Sequence, residues 1–222
     1  MKTFFLSAFV LVQFLSCKTA IEIEDPDNFS HVSGSVHFNT GEVLSGKLTL
    51  SRTMGAYVKV DIDGEPGPQY HRLSEIAGCT IRGRYYDLKK INDGIAFREN
   101  ARYHFMTRLT LRESRIGLYQ LVPSRPLFTG RYRFPVATSY FIHLENEKGN
   151  GVWDINHSKL TPNFAQKMSE IVKDCPGLAQ KIARKQPGYF YPLLGVTDED
   201  RIEVIMRIIN EYNHCTNAPV TH

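Results

Sequence analysis

Residues 149–172, GNGVWDINHSKLTPNFAQKMSEIV, hold the boundary between two kinds of structure. Up to Ile155 the chain reads as turn and strand: Glu147–Gly151 is a tight turn and Val152–Ile155 a short extended segment. After Asn156 the apolar period changes from two to 3.6, which is the change from a pleated strand to an amphipathic helix. Thr161-Pro162 reads as an N-cap followed by proline at the first helical position. Phe164, Met168, Ile171 and Val172 then fall on one helical face.

Upstream, period two dominates from Val32 to Asp154. Ser35–Phe38 and Val43–Leu50 alternate around the turn Asn39-Thr40-Gly41, a hairpin signature. Tyr57–Ile62 is a further strand, closed by Asp63-Gly64. Cys79–Ile81 and Arg84–Tyr86 flank the tight turn Arg82-Gly83. Tyr103–Leu111, Ile116–Val122, Tyr132–Phe134 and Tyr140–Leu144 complete the set before Val152. Downstream, Cys175-Pro176 opens a second helix with Leu178, Ala179 and Ile182 inward, and Pro187-Gly188 ends it. Thr197-Asp198-Glu199-Asp200 starts a third, with acids where the helix dipole favours them. Its apolar stripe is Ile202, Ile205, Ile209 and Tyr212. Three such stripes must pack on each other or on the sheet. The expected fold class is α+β: an antiparallel β-rich N-terminal part, sandwich or open barrel, followed by three C-terminal amphipathic helices. The expected division is 31–156 for the β domain and 157–222 for a helical subdomain packed on it.

The 222 residues are 42% hydrophobic, 23% charged and 11% aromatic. That composition excludes a collagen, a coiled coil and a wholly disordered chain. Lys plus Arg is 27 and Asp plus Glu 23, a balance of +4. The excess is too small and too dispersed to argue for nucleic acid.

The N-terminus carries an address. Met1-Lys2-Thr3 precedes an apolar run from Phe4 to Leu15. A charged start and about a dozen apolar residues is a signal-peptide layout, where a membrane span needs about 20. The run ends Phe14-Leu15-Ser16-Cys17, which resembles a bacterial lipobox with Phe in place of the usual Leu. On that reading 1–16 is a signal peptide and Cys17 is the lipidated mature N-terminus. Residues 17–30, rich in Glu22, Glu24, Asp25 and Asp27, form the tether. The alternative is that Cys17 merely closes the signal peptide.

Asp174-Cys175-Pro176-Gly177-Leu178, Gly188-Tyr189-Phe190 and Ile208-Ile209-Asn210-Glu211-Tyr212-Asn213-His214-Cys215 carry a resemblance. They resemble the C-terminal part of uncharacterised Bacteroidota envelope proteins, and the match covers the last third of the chain. The resemblance implies an envelope location and brings no catalytic residue.

Cys175 begins the second helix and Cys215 ends the third. A disulfide between them suits an oxidising envelope. It closes a 40-residue span, worth about 4 kcal/mol on the chain-entropy model. A metal site from Cys175, His214 and Cys215 is the competing reading, but no C-x-x-C or H-x-x-x-H spacing supports it. Cys79, among apolar neighbours, reads as a buried thiol. No metal or cofactor is expected. Asp154 and His157 offer a carboxylate near an imidazole, although a polar loop explains them as well. Asp61, Asp63 and Gly64 begin like a calcium loop without its later ligands. No G-x-S-x-G is present.

Two groups mix basic and aromatic residues: Arg82, Arg84, Tyr85, Tyr86, Lys89 and Lys90, and then Arg125, Arg131, Tyr132 and Arg133. Such a face suits acidic glycan or phosphate head groups. A solvated strand face with alternate aromatics turned inward is the plainer reading. The functional expectation is therefore an exported, lipid-anchored envelope protein with a non-enzymatic binding or assembly role. Its partners would be an envelope protein or glycan, its membrane contact the lipid on Cys17, and nucleic acid would be no partner. The alternative is a hydrolase of cell-wall or dietary glycan using carboxylates such as Glu145 and Asp154.

Overall fold

The computed structural model describes residues 29–50, 57–92, 103–121, 127–129, 132–134, 138–144, 147 and 149–215. The signal segment 1–16, Cys17 and all of the tether but its last two residues lie outside the described residues, as do Arg125, Arg131 and Glu145.

The chain is α+β, strands first and helices last. Its strands are β1 (Phe29–Phe38), β2 (Val43–Leu50), β3 (Tyr57–Asp61), β4 (Gln69–Arg72), β5 (Ile76–Ile81), β6 (Arg84–Ile91), β7 (Tyr103–Arg108), β8 (Ile116–Leu121), β9 (Leu127–Thr129), β10 (Tyr132–Phe134), β11 (Ser139–Leu144) and β12 (Gly151–Asp154). The helices are α1 (Phe164–Ile171), α2 (Pro176–Ala183) and α3 (Asp198–His214). β9 and β10 form a small separate hairpin. The other ten strands join in the order β12-β11-β8-β7-β6-β5-β1-β2-β3-β4.

A further pairing, β12 to β6, closes β6, β7, β8, β11 and β12 into a barrel. Each of these strands runs antiparallel to the one before it around the ring. With five strands, the first and last must then point the same way. The seam is accordingly parallel, with Gly151 opposite Lys90 and Val152 opposite Ile91. The barrel is thus closed, and its seam is the one departure from the antiparallel pattern among the described pairings.

β6 belongs to two assemblies. Arg84–Asp87 pair with β5, while Lys90 and Ile91 pair with β12. One face of β6 sends Tyr86 and Leu88 into a core with Val36, Leu48, Val60 and Phe105, enclosed by the curled sheet β1–β6. The opposite face carries Tyr85, Asp87 and Lys89 and leads toward the barrel interior, which is filled by Met106, Tyr119, Phe141 and Val152. The turn from β5 to β6 has positive φ at both Arg82 and Gly83, the geometry that matches strand twist in a two-residue hairpin. Gly34 and Gly46 face each other on β1 and β2. A Cβ at either would stand 2.3 Å from the Thr80 carbonyl oxygen or 2.4 Å from that of Asp61, so only glycine allows this close approach.

The helices cover the outside of the barrel. Ile116 and Leu118 of β8 and Ile142 and Leu144 of β11 alternate with the interior residues and point outward. They meet Phe164 and Met168 of α1, Leu178 and Ile182 of α2, and Ile205 and Ile209 of α3. Each such side chain taken from water contributes about 1.5–3 kcal/mol. α3 starts with a capping box: Asp200 N–H donates to Thr197 Oγ1 (3.2 Å) and Thr197 N–H to Asp200 Oδ2 (3.1 Å). α1 starts later than Thr161-Pro162 implies. The Thr161 hydroxyl donates to the Asn156 (2.5 Å) and His157 (3.3 Å) carbonyls, closing the preceding turn, and Asn163 is the residue before the helix.

Cys175 and Cys215 stand at disulfide distance, with Cα atoms 6.0 Å apart, joining the start of α2 to the end of α3. Nearby, Arg115 at the edge of β8 pairs with Asp174 and lies 3.7 Å from the centroid of the Tyr212 ring. Tyr212 Oη donates to Asp174 Oδ1 at 2.7 Å. A Cys175→Ala/Cys215→Ala double variant is expected to lose about 4 kcal/mol of stability in non-reducing urea titration. An unchanged midpoint and slope would show that the closed loop contributes nothing.

Candidate functional site: a cationic crease at the shared strand

The curled sheet and the barrel meet along β6, and a polar cluster lies in the crease between them. In-register pairing sets Ser35, Thr80 and Tyr85 in one row across β1, β5 and β6. His37, Gly78 and Asp87 form the next row. His37 Nε2 is 2.9 Å from Thr80 Oγ1 and 3.2 Å from Ser35 Oγ, and its ring meets Tyr85 edge-on with centroids 5.0 Å apart. Tyr85 lies across Gly78, where a Cβ would come within 2.5 Å of the phenol oxygen. The Arg112 guanidinium, from the β7–β8 turn, hydrogen-bonds the Tyr85 hydroxyl and sits 4.3 Å from its ring centroid. Lys89 Nζ and the Arg108 guanidinium carbon stand 4.7 and 5.6 Å from the centroid of the Tyr119 ring below. These distances suit cation–π attraction.

The electrostatics follow from partial burial. Desolvation pushes the Asp87 carboxyl above the ordinary aspartate range, against the opposing pull of Lys89, Arg112 and Arg108. Burial lowers the His37 imidazole, and Arg112 adds to the effect, so His37 is neutral at pH 7. Burial also raises the Tyr85 phenol, which the Arg112 hydrogen bond only partly offsets. One carboxylate therefore shares the crease with three cations and a neutral imidazole. Arg108 is also tied to its own turn, Nε donating to Thr110 Oγ1 and Nη2 to the Ser114 carbonyl, both at 3.3 Å, so what the crease offers an anion is chiefly its local positive charge.

Of the basic and aromatic residues grouped by sequence, the strand pleat divides the first set. Tyr86 is in the core, with Arg84 5.7 Å from its ring centroid, and Lys90 is 5.8 Å from that of Tyr103. Tyr85 and Lys89 go to the crease. The side chains of Tyr132 and Arg133 are not among those described. Asp87, Arg108, Arg112, His37 and Thr80 were not picked out by spacing. The available signal was the alternation Tyr85, Asp87, Lys89 against Tyr86, Leu88, Lys90.

The other sequence candidates serve local structure. Asp154 Oδ1 accepts from Asn156 N–H at 2.7 Å, and His157 Nδ1 from Lys159 N–H at 3.1 Å. The His157 ring stacks on Trp153 at 4.8 Å. Asp154, the last residue of β12, and His157 thus shape the turn that leads toward α1. Cys79 is buried in the curled-sheet core, outside the cysteine pair. His214 Nδ1 donates to the Asn210 carbonyl at 2.6 Å. Among the described residues no three His, Cys, Asp or Glu side chains group as a metal site. No described helix is long and apolar enough to cross a membrane.

Comparison of the chain with family models, with curated proteins and with solved structures returned no match.

Because the folded pKa of Asp87 lies above its unfolded value, the folded state holds the proton more tightly. That contribution is complete below about pH 4, the ordinary aspartate range, and is lost as pH rises through the folded pKa. Asp87→Asn is therefore expected to gain stability relative to the native chain as pH rises from 4 to 7 in urea titrations. A difference that is flat with pH, or shrinks, would contradict the raised pKa.

Proposed function

We propose that this chain is an exported envelope protein, anchored by lipid on Cys17, that binds an acidic ligand through the crease without transforming it. The address part rests on the order Met1-Lys2-Thr3, apolar run, Ser16-Cys17, and on the resemblance of the last third to Bacteroidota envelope proteins. The binding part rests on one observation: Lys89, Arg108 and Arg112 gather around a single carboxylate, Asp87, beside the aromatic rings of Tyr85 and Tyr119. A carboxylate, sulfate or phosphate group on a hydroxyl-rich ligand meets the positive charge of the cations, hydrogen bonds from Thr80 and Ser35, and a ring edge.

A second reading, a glycan hydrolase, draws on the raised pKa of Asp87, which suits a general acid. Glycoside cleavage uses two carboxyl groups about 5–9.5 Å apart. Among the described residues the other carboxylate on this sheet face is Asp61, on β3, four interstrand steps or about 19 Å from β6. Asp154 is committed to its own turn. Binding is thus favoured over hydrolysis.

Two measurements test the proposal. Titration with galacturonate, followed by NMR shifts, should perturb residues around Tyr85. Arg112→Ala should weaken that binding about tenfold, as loss of one hydrogen bond to a charged group does. No shift at any concentration, or steady turnover of a glycan panel abolished by Asp87→Asn, would overturn it. In cells, Cys17→Ala should move the protein from the membrane fraction to the soluble one. A variant that stays membrane-bound would refute the anchor.

A further inference from the structure

The polar face that enters the crease continues outward across the whole curled sheet. Register places Tyr57 opposite Arg72, and Lys59 opposite both Tyr70 and Thr49. It places Lys47 opposite both Asp61 and Ser33. Ser45, Ser35, Thr80 and Tyr85 then form one unbroken row into the crease. The other face of the same strands is the apolar core, with Leu48, Val58 and Val60 fully buried. Tyr70 and Tyr57 at the outer end are 64% and 43% exposed, far more than core packing would leave them.

Charge is uneven on this face. Among the described residues it carries the cations Lys47, Lys59, Arg72, Lys89, Arg108 and Arg112 against the carboxylates Asp61 and Asp87. The turn carboxylates Glu42, Asp63, Glu65 and Glu113 lie beyond the strand ends, as does Arg112 itself. Part of the excess is held locally: Lys59 Nζ is 3.1 Å from Asp61 Oδ2, and Lys47 Nζ donates to Ser33 Oγ at 2.5 Å. The chain as a whole is only +4. Among the described residues the basic excess is therefore gathered on one face.

Resting on the binding role argued above, we propose that the ligand is an extended acidic polysaccharide that crosses the strands from Tyr70 to the crease. The path from β4 to β6 is five interstrand steps, about 24 Å. It would hold several saccharide units. Tyrosine rings at both ends offer apolar faces to sugar rings, and Ser33, Ser35, Ser45, Thr49 and Thr80 between them offer hydrogen bonds to hydroxyls. The spaced cations answer a repeating carboxylate or sulfate. A membrane surface fits less well, because the face between the tyrosines presents hydroxyls and leaves only Val43 as an exposed aliphatic side chain on these strands.

The test uses the whole chain carrying Cys17→Ala, so that no lipid contributes. The probes are galacturonate and its oligomers of increasing length, a neutral galactan, a single-stranded oligonucleotide, and vesicles of neutral and anionic phospholipid. Affinity should rise with oligogalacturonate length until the face is spanned, and the galactan should not bind. The exposed pair Tyr57→Ala/Tyr70→Ala should weaken long oligomers about two- to tenfold, the worth of lost aromatic contacts, and leave galacturonate unchanged. If the double variant binds long oligomers as tightly as the native chain, the extended footprint is wrong while the crease stands. Equal or tighter binding of the oligonucleotide or the vesicles would also overturn it, because the face would then select charge alone. If neither galacturonate nor its oligomers bind, both the footprint and the crease reading fall.

Discussion

Strand β6 sends one face, Tyr86 and Leu88, into the curled-sheet core and turns the other, half-buried, toward the barrel side, and one of its edges is hydrogen-bonded first to β5 and then to β12. The remainder of the molecule depends on this constraint. Because side chains alternate along a strand, Tyr86 and Leu88 must enter the curled-sheet core if Tyr85, Asp87 and Lys89 face the barrel side. A one-residue slip would put a carboxylate and an ammonium into the core and a tyrosine and a leucine into the crease. The register is therefore enforced from both sides. The switch of partners from β5 to β12 also marks where the curled sheet and the barrel part. The crease is a consequence of how the barrel closes.

Closure in turn needs the helices. β8 and β11 are buried on both faces, inward on Tyr119 and Phe141 and outward on α1, α2 and α3. Bare, that wall would expose Ile116, Leu118, Ile142 and Leu144 to water. Three short stripes cover it, and they are held in place by polar ties at their rim. Arg115, Asp174 and Tyr212 bind the barrel edge to both the α1–α2 turn and α3. Lys181 and Tyr189 both donate to Glu211, at 2.6 and 2.5 Å, joining α2 and the following loop to α3. The Cys175–Cys215 pair lies at the same end of the bundle. The helices cover the outward face of β8 and β11, apart from the polar face of the curled sheet. That separation leaves one sheet face open to solvent while the hydrophobic demand of the fold is met elsewhere.

The site combines features that rarely serve packing alone. A carboxylate is desolvated among cations, a neutral imidazole is held by two hydroxyls, and a tyrosine is laid over a glycine by an arginine from a distant turn. Each of these groups gives up hydration on folding. The excess of cations over carboxylates carries the binding reading further than a catalytic one, since a second carboxylate at working distance from Asp87 is missing among the described residues of the face.

The sequence by itself determined the kinds of element and their order. Period two in Ser35–Phe38, Val43–Leu50 and Ile116–Leu121, period 3.6 in α3 and the capping box at Thr197 are all local signals, written within a few residues by pleat, helical pitch and cap chemistry. The edge strand β4 is not legible, because Gln69-Tyr70-His71-Arg72 on a sheet edge shows no apolar alternation. The start of α1 was misread because Thr161 can cap a helix or close a turn, and only the nearby Asn156 and His157 carbonyls decide which. Tertiary structure alone decided that the barrel closes with a parallel seam, that β6 divides between two partners, and that His37, Thr80, Tyr85, Asp87, Arg108 and Arg112 meet. Those outcomes depend on hydrogen-bond register between strands far apart in the chain. No local periodicity records such a register; it is set when β6 pairs with β5, β7 and β12 at once.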